Sequence, residues 1–101
     1  MRPSFALEEA LRALGSNLKN ARLRRRLPQA VVAERAGISL NTLGKIENGD
    51  PGVSIGNVAS VIHALGLTEA ISTLASSEND PTGLLLEERR LPQRIRSRKN
   101  Q

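Results

Sequence analysis

"AERAGISLNTLGKIENG", residues 33–49, decides how the chain is read. Ala33 to Ala36 continue a helical pattern that Gly37 interrupts, and Ser39 restarts one that Gly49 closes. Glycine suits the left-handed residue just past a helix end. Serine suits the position just before a helix, where its hydroxyl accepts from a first-turn N–H. The stretch therefore predicts the end of one short helix, residues 28–36, and the whole of another, 40–48, joined by about three residues. Val32, Ala36, Ile38, Leu43 and Ile46 fill the sides that pack together, and Ala33 is small where the helices cross. Leu40 and Gly44 stand out, because an outward helix face normally carries polar groups.

Upstream, Leu7, Leu11, Leu14 and Leu18 recur every three or four residues and predict a helix over about 5–26, capped by Ser4. Four residues beyond Leu18 the same stripe reaches Arg22, an inward-pointing charge that needs a partner. Leu27-Pro28 ends the helix, since proline disfavours helix at the residue before it and suits the first turn of the next. Downstream, Asp50-Pro51-Gly52 reads as a turn and Ser54 as a cap. Ile55, Val58, Ala59, Ile62 and Leu65 then line a fourth helix that Gly66 closes. A short fifth helix, Thr68 to about Ala75, has Ala70, Ile71 and Leu74 as its apolar side. SSENDPTG reads as turn or linker, and the chain ends in a basic tail. The expected fold is all-α, a compact domain of four to five helices over residues 1–76, with linker and tail over 77–101.

Composition narrows the function. The chain has 101 residues, no cysteine, one histidine (His63) and one aromatic residue (Phe5). Thiolate metal sites and disulfides are excluded, a metal cluster has almost no ligands, and aromatic platforms for stacking single-stranded bases cannot be built. No apolar run approaches a membrane span and no signal peptide is apparent, so the expectation is a cytoplasmic protein without membrane contact. The net charge of +5 divides into +5 over residues 1–27, −4 over 28–82 and +4 over 83–101. Basic ends around an acidic middle suit phosphate attraction, and equally a solvated surface.

Helix, short turn, helix is the outline of a helix-turn-helix, whose second helix enters the major groove of DNA. "LPQAVVAERAGISLNTLGKIENGD", residues 27–50, resembles the Cro/C1-type helix-turn-helix family, and the likeness extends over about residues 14–67. The resemblance implies a motif at 28–48 in which Gln29 bonds a phosphate and braces the second helix. Ser39, Leu40, Asn41, Thr42 and Lys45 then meet the groove, and Asn48 meets the backbone at the helix end. It also implies that Arg22 pairs with Glu47 as a structural ion pair. Asn41 has the geometry for two hydrogen bonds to adenine, and Lys45 for guanine acceptors or a phosphate. Leu40 offers only a methyl contact, or a core side chain at three before Leu43. Gly44 suggests close approach by a phosphate or a neighbouring helix.

The chain departs from that family in two places. Pro28 replaces a capping hydroxyl or amide, and the loop after Gly49 lacks basic residues. Phosphate contacts must then come from Arg24, Arg25 and Arg26 of the first helix and from Arg94, Arg96, Arg98 and Lys99 of the tail. "KIENGDPGVSIGNVASVIHALGL" with "DPTGLLLEERRLPQRIR" is similar to HipB-like antitoxins encoded beside HipA-like serine/threonine kinases. That likeness implies a homodimer on a palindromic operator that represses its own operon and binds a kinase toxin. The competing readings are a stand-alone or phage-type repressor, and a protein-binding adaptor that does not read DNA. Catalysis finds no support: no histidine lies near Ser4, Ser39 or Ser72 in sequence, and Glu8-Glu9 and Glu87-Glu88 are adjacent and diverge on a helix. No cofactor is expected.

Overall fold

The computed structural model describes residues 4–90, and every regular element among them is helical. In chain order these are α1 (Phe5–Arg24), α2 (Gln29–Ala36), α3 (Leu40–Glu47), α4 (Ile55–Ala64), α5 (Thr68–Thr73) and α6 (Pro81–Arg90), with a 3-10 turn at Ser77–Asn79 before the last. The expected all-α class is thus observed among the described residues.

Serine side chains open three of the helices. The hydroxyls of Ser4, Ser39 and Ser54 accept from the N–H groups of Leu7, Thr42 and Asn57 at 3.2, 3.0 and 3.1 Å. Each satisfies one of the orphan donors of a first turn. The four larger helices of the core also close alike. The N–H groups of Leu27, Ile38, Asp50 and Leu67 reach back five residues to the carbonyls of Arg22, Ala33, Lys45 and Ile62. The residue before each of these four donors is left-handed: Arg26 (φ 55°), Gly37 (71°), Gly49 (78°) and Gly66 (81°). Arg26 therefore does at the end of α1 what glycine does elsewhere, and that is why α1 stops at Arg24 rather than at residue 26.

Residues 4–68 form one compact unit around a single core. Leu18 and Ala21 of α1, Val32 and Ala33 of α2, Leu43 and Ile46 of α3, and Val61 and Leu65 at the end of α4 are buried. Val32, Leu43 and Val61 are wholly enclosed, each contributing about 1.5–3 kcal/mol by burial. α2 packs on α4, and α3 packs on both α1 and α2.

The leucine periodicity of α1 points only partly inward. Leu18 is buried and Leu11 half-buried, but Leu7 and Leu14 are exposed, and Gly15 is buried in the stripe. On α4 the inward line runs through Val58, Val61, Ile62 and Leu65. Ile55 is 81% exposed, because it lies in the first turn and off the side of that line.

Residues 69–90 belong to a second unit. Here the stretch expected as turn or linker is helical: the 3-10 turn packs on α6, and Asp80 accepts from the Gly83 N–H at 3.1 Å. Proline, which stops helices in their interiors, is the first residue of α6, where its missing N–H costs nothing. α5 ends at Thr73, and the left-handed Ala75 (φ 63°) follows it. Asn79 donates to the Thr73 carbonyl at 2.8 Å and ties the two segments together.

Candidate nucleic-acid interface

The position of α3 is set at both ends. At its start Ser39 accepts from the Thr42 N–H and donates its own proton to the Thr42 hydroxyl at 2.9 Å. That leaves Thr42 with a hydroxyl proton to give to an outside acceptor. At its end Glu47 turns inward and is 8% exposed. Arg22, 7% exposed, donates from Nε to Glu47 Oε2 at 2.7 Å and from Nη2 to Glu47 Oε1 at 3.1 Å. Its third donor, Nη1, reaches the Leu27 carbonyl at 3.0 Å. Gln29 adds a bond from Nε2 to Glu47 Oε1 at 3.0 Å.

One carboxylate thus collects α1, the link to α2, the first residue of α2 and the last of α3. Buried charges are tolerable only when paired and hydrogen-bonded, and among the described residues no buried side-chain polar atom lacks a partner. Gln29 spends one amide N–H on this network and keeps the other, half-buried at the head of α2. That helix has no side-chain cap at Pro28, so its first N–H groups are also open to an outside acceptor.

The crossing of α1 and α3 depends on a residue that the sequence reading did not single out. A Cβ on Gly15 would stand 2.5 Å from the Ile46 carbonyl oxygen and 2.7 Å from that of Glu47. Gly49 meets α1 in the same way, 2.8 Å from the backbone of Arg12. The signal was present: Gly15 lies four residues after Leu11 and three before Leu18, so it occupies the inward stripe of a helix whose stability it lowers by about 1 kcal/mol.

Gly44 is the opposite case. Beyond its chain neighbours and the backbone of its own helix, no atom lies within 4 Å of where its Cβ would be, so no neighbouring helix requires it, and that part of the expectation is corrected.

With Leu43, Ile46 and Glu47 turned inward, the opposite side of α3 presents Asn41, Lys45 and Asn48 at successive turns, all exposed. Leu40 and Gly44 flank that line on one side and Thr42 on the other, Leu40 being 52% exposed and so outside the core. Lys45 is the one charged residue facing outward on this helix. Beside α3, a shallow polar hollow lined by Thr42, Lys45, Asp50, Ser54 and Asn57 reaches the first turn of α4.

Arg24, Arg25 and Arg26 are exposed at the end of α1, where Arg25 Nη1 donates to the Ala21 carbonyl of its own helix at 2.9 Å. Arg94, Arg96, Arg98 and Lys99 lie outside the described residues. The described residues contain no acid, histidine and cysteine group able to hold a metal ion, and no helix long and apolar enough to cross a membrane.

No curated protein and no solved structure matches the chain. Residues 13–72, from within α1 to within α5, match a helix-turn-helix domain family. α2, the turn at Gly37 and α3 stand where such a motif has its two helices, with the second helix turning a polar face outward. The chain belongs to the helix-turn-helix domain family, whose members are typically DNA-binding regulators.

Proposed function

We propose that the chain is a sequence-specific repressor that binds duplex DNA as a homodimer on a palindromic operator. The observation that carries the reading is the outward face of α3: Asn41, Lys45 and Asn48, exposed at one-turn intervals on a helix fixed from behind by the Arg22–Glu47–Gln29 network. Asn41 is suited to the paired donor and acceptor edge of adenine, and Lys45 to the acceptors of guanine. Ser39, Leu40, Thr42 and Asn48 border these contacts, and Gln29 together with the uncapped start of α2 offers N–H groups to a phosphate. Arg24, Arg25, Arg26 and the tail cations Arg94, Arg96, Arg98 and Lys99 supply further phosphate attraction. One short helix reads few base pairs. Two-fold pairing doubles the site and spaces its halves by about 10 base pairs or a multiple of that.

In this reading residues 1–76 form the DNA-reading domain and 77–101 are a linker and basic tail. Selection from a random duplex library tests it. The expected product is an inverted repeat bound by two chains, as judged by sedimentation of the complex in an ultracentrifuge. Recovery of no preferred duplex contradicts it.

The finer reading is an antitoxin that represses its own operon and holds a HipA-like kinase. It rests on the likeness of residues 45–67 and 80–96 to HipB-like proteins. It is supported by Leu84, Leu85 and Leu86, three exposed leucines spread around α6, apolar area of the kind a protein partner covers. Co-purification with a kinase encoded by the adjacent gene is the expected result. A neighbouring gene of phage function, with no kinase bound, favours a stand-alone repressor.

A further inference from the structure

We infer that Leu40 and Gly44 together form the part of the α3 face that reads the C5-methyl group of a thymine. The inference rests on the DNA-reading proposal above and adds to it a base and a position. Leu40 is 52% exposed in a helix whose apolar residues Leu43 and Ile46 are buried. Gly44 lies one turn further along the same side, with open space where a side chain would be. Cα–Cβ bonds tilt toward the start of a helix, so a side chain at position 44 would lean over the surface next to Leu40. Its absence leaves the helix backbone open beside Leu40, whose side chain stays more than 4 Å from where that Cβ would be, so that a methyl group can enter between them. Exposed Asn41, Lys45 and Asn48 stand beside it. The glycine costs about 1 kcal/mol of helix stability relative to alanine, and no contact within the described chain uses the space.

The occupant follows from chemistry. The major groove presents hydrogen-bonding edges and one apolar group, the thymine methyl. Leucine neither donates nor accepts, so against any other edge it displaces water from polar atoms without replacing the lost bonds. Lys45 on the same face adds a positive charge, which suits an anionic duplex and opposes burial against an apolar protein surface.

The test replaces each thymine of a selected duplex in turn by deoxyuridine, which removes the methyl group and nothing else. The full chain is expected to bind about fourfold more weakly at one position per half-site, the effect of one buried methyl. Leu40→Ala is expected to bind thymine and deoxyuridine duplexes alike. Gly44→Ala, which fills that opening, is expected to lose the same discrimination while its far-ultraviolet circular dichroism stays helical. Discrimination retained by Leu40→Ala, or the absence of any thymine whose methyl matters, overturns the inference and leaves the DNA reading intact. Failure to select any duplex overturns both.

Discussion

Gly15→Ala and Gly44→Ala are the same chemical change, and the structure predicts opposite outcomes. In each helix the new methyl raises intrinsic helix stability by about 1 kcal/mol. At Gly44 nothing opposes that gain, since beyond its chain neighbours and its own helix backbone no atom lies within 4 Å of the new methyl. The variant should melt about 4–8 °C higher. At Gly15 the methyl lands 2.5 Å from one backbone carbonyl oxygen and 2.7 Å from the next. These atoms belong to the last turn of α3 and cannot rotate away, so α1 and α3 must separate. Overpacking costs about 1–3 kcal/mol, and a collision with backbone belongs at the upper end. The net loss is then about 2 kcal/mol, a fall in melting temperature of about 8–16 °C. Thermal melts followed by circular dichroism measure both variants. A Gly15→Ala protein as stable as the parent would refute the close crossing of α1 and α3.

The remaining predictions concern the buried pair, the left-handed arginine and the basic ends. Glu47→Ala strands the Arg22 guanidinium in the core and should cost about 3–5 kcal/mol in chemical denaturation, whereas Arg22→Met with Glu47→Leu should recover most of that loss. Equal losses in the single and double variants would contradict the ion-pair account. Arg26→Gly relieves a left-handed conformation that costs an L-residue about 1–2 kcal/mol, less about 0.5–1 kcal/mol for glycine's extra unfolded entropy. A small rise in melting temperature is expected, and a fall would count against the helix end described here. DNA affinity should drop with salt at a logarithmic slope of about −3 to −4 if four of the terminal cations engage phosphates, and Arg24→Ala should flatten that slope by nearly one unit. An unchanged slope removes Arg24 from the interface.

The elements that punctuation and period mark clearly were legible in the sequence. Ser39, Gly37 and Gly49 bound the motif helices within a residue, because a cap and a left-handed residue act locally. The inward turn of Arg22 was legible from period alone. Its pairing with Glu47 and a bracing role for Gln29 came only with the family resemblance, and the bond to the Leu27 carbonyl was not legible, because it depends on how the α1–α2 link folds back. Leu7, Leu14 and Ile55 misled because periodicity marks a broad helix face: Leu7 and Ile55 lie in first turns, and Leu14 lies beside the buried line through Gly15 and Leu18. Gly15 and Gly44 look alike in sequence, and only the crossing of α1 and α3 separates a glycine that makes room for backbone from one that faces open space. α6 was missed because Pro81 and Gly83 read as turn residues, whereas proline at a helix start and an Asp80 cap serve equally to begin one.

The central claim is that the outward face of α3 reads DNA. It is tested most directly by fluorescence anisotropy of a selected palindromic duplex titrated with the parent chain and with Asn41→Ala plus Lys45→Ala at one fixed salt concentration. Both side chains are exposed, so the variant should keep its fold, and the loss of two base contacts should weaken specific binding by at least about 30-fold. A double variant that binds the same duplex as tightly as the parent would contradict the claim and put the DNA-reading surface elsewhere on the chain.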